Sequence, residues 1–70
     1  MEVVSEVTGK VWKMAVDEGA VVQEGDVLMI IESMKMEIPV EASASGPVRL
    51  LVAEGEAVEE GMTVAKILSR

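Results

Sequence analysis

The chain has no histidine, cysteine, tyrosine or phenylalanine. Without histidine or tyrosine, any acid or base acting near neutral pH must be a perturbed carboxylate or lysine. The five serines have no imidazole to activate them. Without cysteine there is neither a disulfide framework nor a thiolate metal site, and the acidic residues do not follow a calcium-loop spacing. No glycine-rich phosphate cradle is present. Catalytic residues and metal ligands are therefore not expected, and the chain does not read as an enzyme. No apolar run approaches the ~18 residues of a membrane span. No basic stretch leading into an apolar one marks the chain for export, so a cytoplasmic protein without membrane contact is expected. Basic residues are also scarce, six against thirteen acidic for a net charge of −7. That sign argues against a nucleic-acid surface, which must neutralise phosphates. It suits solubility and steering toward basic partners.

What the chain does have is aliphatic mass. Half of its 70 residues are hydrophobic, 13 are valine, and Trp12 is the only aromatic. A chain this short is one domain at most, taken here as residues 1–70. It buries only about 60% of its unfolded surface. Valine favours pleated strands, and no segment shows a 3.6-residue period, so helix is not expected. Val3, Val4 and Val7 precede Gly9, and Val11, Met14 and Val16 follow it, as two short strands. Ala20-Val21-Val22 has room for a very short one. Val27 to Ile31 is a continuous apolar run, consistent with a strand buried on both faces. Ile38, Val40 and Ala42 alternate, with Pro39 arguing for an edge strand because it cannot donate to a ladder. Ser43-Ala44-Ser45-Gly46-Pro47 reads as loop by composition. Val48, Leu50 and Val52 form a further alternating strand, and Val64, Ile67 and Leu68 a last one. Trp12 reads as a partly exposed strand residue between the outward-looking Lys10 and Lys13.

The two halves repeat. Gly19-Ala20-Val21-Val22-Gln23-Glu24-Gly25 matches Gly55-Glu56-Ala57-Val58-Glu59-Glu60-Gly61, and Gly9-Lys10-Val11 matches Gly46-Pro47-Val48. Between those blocks the second half is one residue shorter. A pair of units is too few for a solenoid; it predicts two interlocked halves about a pseudo-twofold axis.

At the centre lies Ile31-Glu32-Ser33-Met34-Lys35-Met36-Glu37-Ile38. Two apolar runs around a polar tip outline a β-hairpin. A two-residue turn would centre on Met34-Lys35 and set Ser33 opposite Met36, Glu32 opposite Glu37, and Ile31 opposite Ile38. Such turns favour Asn-Gly or Gly-Gly, because they require positive φ. Met-Lys supplies neither, and facing glutamates repel. The tip is thus written against its own stability, which points to selection for something else. Lys35 there is a primary amine on a flexible stem, an acyl acceptor once deprotonated. Glu32 and Glu37 favour the ammonium form, so they suit recognition by a modifying enzyme better than activation. On spacing alone Lys35 also reads as one solvated lysine among four, and Met34 and Met36 as gap-fillers over an open end of the core.

Glu32-Ser33-Met34-Lys35-Met36 resembles the attachment motif of biotinyl domains, in which a Met-Lys-Met hairpin presents the acylated lysine. The frame around it is similar to the biotinyl/lipoyl domain over nearly all of the chain: Gly9-x-Val11, Gly19-x-x-Val22, Gly25-x-x-Leu28, Ile31-Glu32, Gly46-x-Val48, Gly55-x-x-Val58 and Gly61-x-x-Val64. The resemblance implies an all-β flattened barrel, the barrel-sandwich hybrid, with two four-stranded antiparallel sheets and quasi-twofold symmetry. It implies biotin held covalently by Lys35, with Met34, Met36 and Glu32 completing the site. The implied partners are a biotin protein ligase, which supplies biotinyl-adenylate, and biotin carboxylase and carboxyltransferase subunits, between which the arm carries a carboxyl group. A monomeric, non-catalytic carrier follows from the same analogy. Ser33 departs from the family's usual Ala, Ser5-Glu6-Val7-Thr8 lacks a frequent Pro, and the Gly19–Gly25 connection is too short for a protruding thumb. A lipoyl carrier, or one accepting both cofactors, is the alternative. Lipoyl domains tend to have Asp before the lysine and Ala after it, so Met34 and Met36 point to biotin. An unmodified interaction domain is the remaining reading.

Overall fold

The computed structural model describes residues 1–68. Its eight strands are β1 (Glu2–Val4), β2 (Gly9–Met14), β3 (Val21–Val22), β4 (Val27–Ser33), β5 (Met36–Glu41), β6 (Gly46–Leu50), β7 (Ala57–Val58) and β8 (Thr63–Ile67). Among the described residues there is no helix. The strands form two antiparallel four-stranded sheets, ordered β1-β8-β6-β3 and β5-β4-β2-β7. The domain expected over residues 1–70 thus holds its strands within 2–67; Ser69 and Arg70 lie outside the described residues.

Three details differ from the sequence expectation. Gly46 and Pro47 are not loop but the first residues of β6, paired with Val22 and Val21. Composition misleads there because Gly46 is in the strand for its lack of a side chain. A Cβ at that position would collide with the Leu68 carbonyl oxygen. The β4 run is buried mainly on one face. Leu28, Met29 and Ile31 are fully buried, while Val27 is exposed and Ile30 half-buried. Consecutive Leu28 and Met29 both turn inward because the β4–β5 register shifts between Val27 and Met29, as at a bulge. The last strand stops at Ile67, leaving Leu68 just beyond it and exposed. Pro39 sits on β5, an edge strand, where a missing N–H is tolerated.

The duplication is visible in the pairing. Carrying β1, β2, β3 and β4 onto β5, β6, β7 and β8, and the reverse, turns one sheet order into the other. Gly9 pairs with Val58 as Gly46 pairs with Val22. Glu18 Oε1 accepts from the Leu50 amide at 2.6 Å, and Glu54 Oε2 accepts from the Met14 amide at 2.8 Å. Each acidic turn therefore satisfies a strand-end donor of the other half, a charge-assisted bond of the stronger kind. Each sheet takes two strands from each half, so the halves are interlocked. Between the sheets lies a core of aliphatic side chains with no aromatic: Val3, Val11, Val22, Leu28, Met29, Ile31, Val48, Val58, Val64 and Ile67 are 5% exposed or less. The chain crosses from β1 to β2 through Ser5–Thr8. There the buried Ser5 hydroxyl donates to the Val7 carbonyl at 2.6 Å, so this turn is made without proline.

Candidate functional site

β4 and β5 form a hairpin in the register expected from the sequence: Ile31 opposite Ile38, Glu32 opposite Glu37, Ser33 opposite Met36. The turn residues Met34 and Lys35 have φ of 52° and 64°, and are the only non-glycine residues with positive φ among those described. Positive φ at both central positions is the type I′ arrangement, whose twist matches that of the flanking strands. An L-residue other than glycine holds this conformation at a cost of about 1–2 kcal/mol. The strand ladder around it enforces the geometry against the preference of both residues.

The side chains point away from the body. Met34 is 89% exposed and Met36 58% exposed, and Lys35 is exposed between them. The methionines therefore do not cover an open end of the core, which removes the gap-filling reading. Glu32 and Glu37 face each other across the ladder and both are exposed. Lys10 lies opposite Glu32 on its other side, in β2. A cation there offsets part of the repulsion between the glutamates. The four residues singled out from the sequence, Glu32, Met34, Lys35 and Met36, are thus brought together at one exposed tip.

Two residues that sequence reasoning did not assign also hold the tip. The Ser33 hydroxyl donates to the Thr8 carbonyl at 2.7 Å, and the Thr8 hydroxyl accepts from the Glu60 amide at 3.0 Å. The root of the hairpin is in this way tied to the β1–β2 crossing and to a turn of the second half. Only the small polar character of Ser33 could have signalled this, since its partners lie far along the chain. The hairpin is also seated by Gly9, where a Cβ would collide with the Glu32 carbonyl oxygen. A groove of about 230 Å³ opens elsewhere, along the seam between β1 and β5, lined by Val4, Val7, Ile38 and Val40 among others, and Lys35 takes no part in it. The candidate site is accordingly a protrusion and not a cavity. An exposed amine on a fixed turn fits a covalently attached group, because the reaction needs the nitrogen to enter another protein's cleft.

A family model described as "Biotin-requiring enzyme", for biotin/lipoyl domains, matches residues 1–67. The chain is 40% identical over 67 residues to a "Biotinylated protein TB7.3 homolog" of Mycobacterium leprae (strain TN), covering 94% of each chain. It is 42% identical over 62 residues to a "Biotin/lipoyl attachment protein" of Bacillus subtilis (strain 168), covering 87% of this chain and 85% of that one. Its fold is similar to part of the crystal structure of the Kluyveromyces lactis urea carboxylase, with a TM-score of 0.90 and 42% identity over 97% of this chain, which spans 6% of that one. With an all-strand barrel of two four-stranded sheets, a duplicated glycine frame and a family match over nearly its whole length, the chain belongs to the biotin/lipoyl attachment domain family.

Proposed function

We propose that Lys35 is the residue on which biotin is carried, through an amide bond made by a biotin protein ligase. The chain would then serve as the carrier of a carboxyl group between a biotin carboxylase site and a carboxyltransferase site. The observation that carries this reading is the turn itself: two residues unsuited to positive φ hold it, and the one between exposed methionines is a lysine. Stability would favour Asn-Gly there, so the amine is what the turn is for.

Lys35 contributes the nucleophile. Its deprotonated Nζ attacks the acyl carbonyl of an acyl-adenylate, the carbonyl–phosphate bond breaks with AMP leaving, and the surplus proton on nitrogen passes to a base. The ladder of β4 and β5, the Ser33–Thr8 hydrogen bond and the close approach at Gly9 hold the turn for that attack. Glu32 and Glu37 mark the tip for the ligase by charge, and Met34 and Met36 offer it polarizable, adaptable surface. When attached, the biotinyl group supplies a ureido nitrogen that bears the carboxyl group. The chemistry belongs to the partners, and residues 1–70 act as one monomeric, non-catalytic carrier domain, placed in the cytoplasm with its ligase.

The names of the relatives support biotin. One is called a biotinylated protein, and the structural relative is a urea carboxylase. A second reading, lipoyl in place of biotin or beside it, has one observation in its favour: the Bacillus relative is named for both groups. Coexpression of the chain with each ligase, read by intact mass and by streptavidin blot, separates them. Biotin on the wild type and none on Lys35→Arg is the expected outcome, since the guanidinium stays protonated and is a very poor acyl acceptor. A lipoyl adduct without a biotin adduct would overturn the choice of cofactor. An unmodified wild type in both cells would end the carrier reading.

A further inference from the structure

The halves differ by one residue: Gly9 to Gly19 is one longer than Gly46 to Gly55. The pairing locates the extra residue. β2 runs against β4 as Val11 with Ile31 and then Lys13 with Ile30, leaving Trp12 unpaired in a bulge. The related strand β6 runs against β8 through Val48, Arg49 and Leu50 with no break. A bulge re-aims the side chains beside it, and here Trp12 and Lys13 are both exposed although adjacent in sequence. The indole, the only aromatic group in the chain, stands 49% exposed. The related β6–β8 pair has neither bulge nor aromatic, so the repeat has no need of Trp12 at this position.

The surroundings of Trp12 lead to the hairpin. On the outer face of this sheet Lys13, Ile30 and Pro39 form one cross-strand row, and Lys10, Glu32 and Glu37 form the next row toward the tip. At ~3.3 Å per residue, Trp12 lies roughly 10–15 Å from the turn. Two of the six basic residues of a chain with charge −7, Lys10 and Lys13, flank it.

We infer that this face is the docking surface for the enzyme that acylates Lys35, and that the enzyme meets it with an apolar pocket for the indole bordered by carboxylates. The inference rests on Lys35 being the acyl acceptor. The occupant follows from reach: a bare lysine side chain extends only about 6 Å from its Cα, so the acylating enzyme has to come down onto the hairpin. An interface of ordinary size covers about 800 Å² of each partner, a patch of about 16 Å radius, which includes Trp12. Enzymes that later act on the attached group meet it at the end of a longer tether and need not touch the sheet. The lysines supply local attraction to acidic groups, which the net charge would otherwise repel.

The test is the steady-state rate of biotin transfer by a biotin protein ligase, with the whole chain as varied substrate, for the wild type, Trp12→Ala, Trp12→Phe and Lys10→Glu/Lys13→Glu. Far-UV circular dichroism checks that each variant is folded. Trp12→Ala should raise KM by about tenfold or more, with kcat little changed, as for an aromatic at the centre of an interface. Trp12→Phe should recover part of the loss. The double charge reversal should raise KM and flatten its dependence on salt. If a normally modified wild type is accompanied by a folded Trp12→Ala with unchanged KM, or with a loss confined to kcat, the docking surface is overturned while Lys35 stands. A wild type that accepts no biotin overturns both.

Discussion

Met34 and Lys35 hold a conformation that neither favours, and the geometry tells what would follow if the chain were relieved of it. Replacing the pair by Asn-Gly keeps the type I′ turn and puts at its two positive-φ positions an asparagine, which tolerates the left-handed region, and a glycine, which adopts it freely. At about 1–2 kcal/mol per residue the substitution should stabilise the domain by about 2 kcal/mol. In a domain of this size that raises Tm by roughly 10 °C, and the acyl acceptor is lost with it. Lys35→Arg, by contrast, keeps the same backbone demand and should leave Tm where it is. Thermal unfolding of the three chains followed by circular dichroism checks the pair of expectations. If the Asn-Gly chain melts no later than the wild type, the turn stores no strain, and the argument from residue choice to function fails. This much was legible in the sequence, because a two-residue turn and its flanking ladder are local: apolar Ile31 and Ile38 set the register, and the two residues between the strands had to take positive φ. What Ser33 does was not legible, because its partner Thr8 is brought to it by the crossing between sheets.

Strands β2 and β6 pass their neighbours at glycines, and the two positions offer matched experiments. A Cβ at Gly9 would collide with the Glu32 carbonyl oxygen at the root of the hairpin, and a Cβ at Gly46 with the Leu68 carbonyl oxygen at the related place. Each Gly→Ala change should therefore cost about 2–3 kcal/mol through backbone that has to shift. The consequences for the site differ. Gly9→Ala pushes β2 away from β4 and should move the amide resonances of Met34 to Met36, whereas Gly46→Ala should leave them in place. Equal displacement in both variants would contradict the local seating of the hairpin. The same pair of strands shows where sequence reading ran out. Gly46-Pro47 has loop composition, yet a close strand crossing needs its glycine as much as a turn would. The missing residue of the second half was countable, but only pairing could show that the surplus in the first half is Trp12, lifted out of register opposite Ile30 and Ile31. The edge position of β5 was legible from Pro39 because proline removes a donor wherever it stands. The allocation of strands to sheets is non-local and leaves no such mark.

The molecule as a whole has no half that could stand alone. Each sheet is woven from two strands of either repeat, and the core between them is one aliphatic cluster to which both contribute. Outside the β4–β5 hairpin the pairing joins residues distant in sequence, β1 with β8 most of all. Every pairing beyond that hairpin must meet the loop-closure entropy of a long segment, so folding in milliseconds to seconds is expected. Unfolding should be all-or-none. The total stability of 70 residues, at about 0.05–0.15 kcal/mol each, is about 4–10 kcal/mol, so one buried methyl pair is a large share of it. Val64, fully buried on β8, lies in the sheet that does not carry the hairpin. Val64→Ala should cost about 2 kcal/mol by transfer and cavity terms. Trp12 reports on the opposite sheet, and because it is the only aromatic its fluorescence is free of other sources. The urea midpoint read at Trp12 should fall as far as the midpoint read by far-UV circular dichroism, with the slope of each transition unchanged. Two separate transitions, or a Trp12 midpoint that ignores the loss on β8, would mean that the sheets unfold independently. The tip would then owe its rigidity to its own sheet alone, and the interlocking of the repeats would have no part in presenting Lys35.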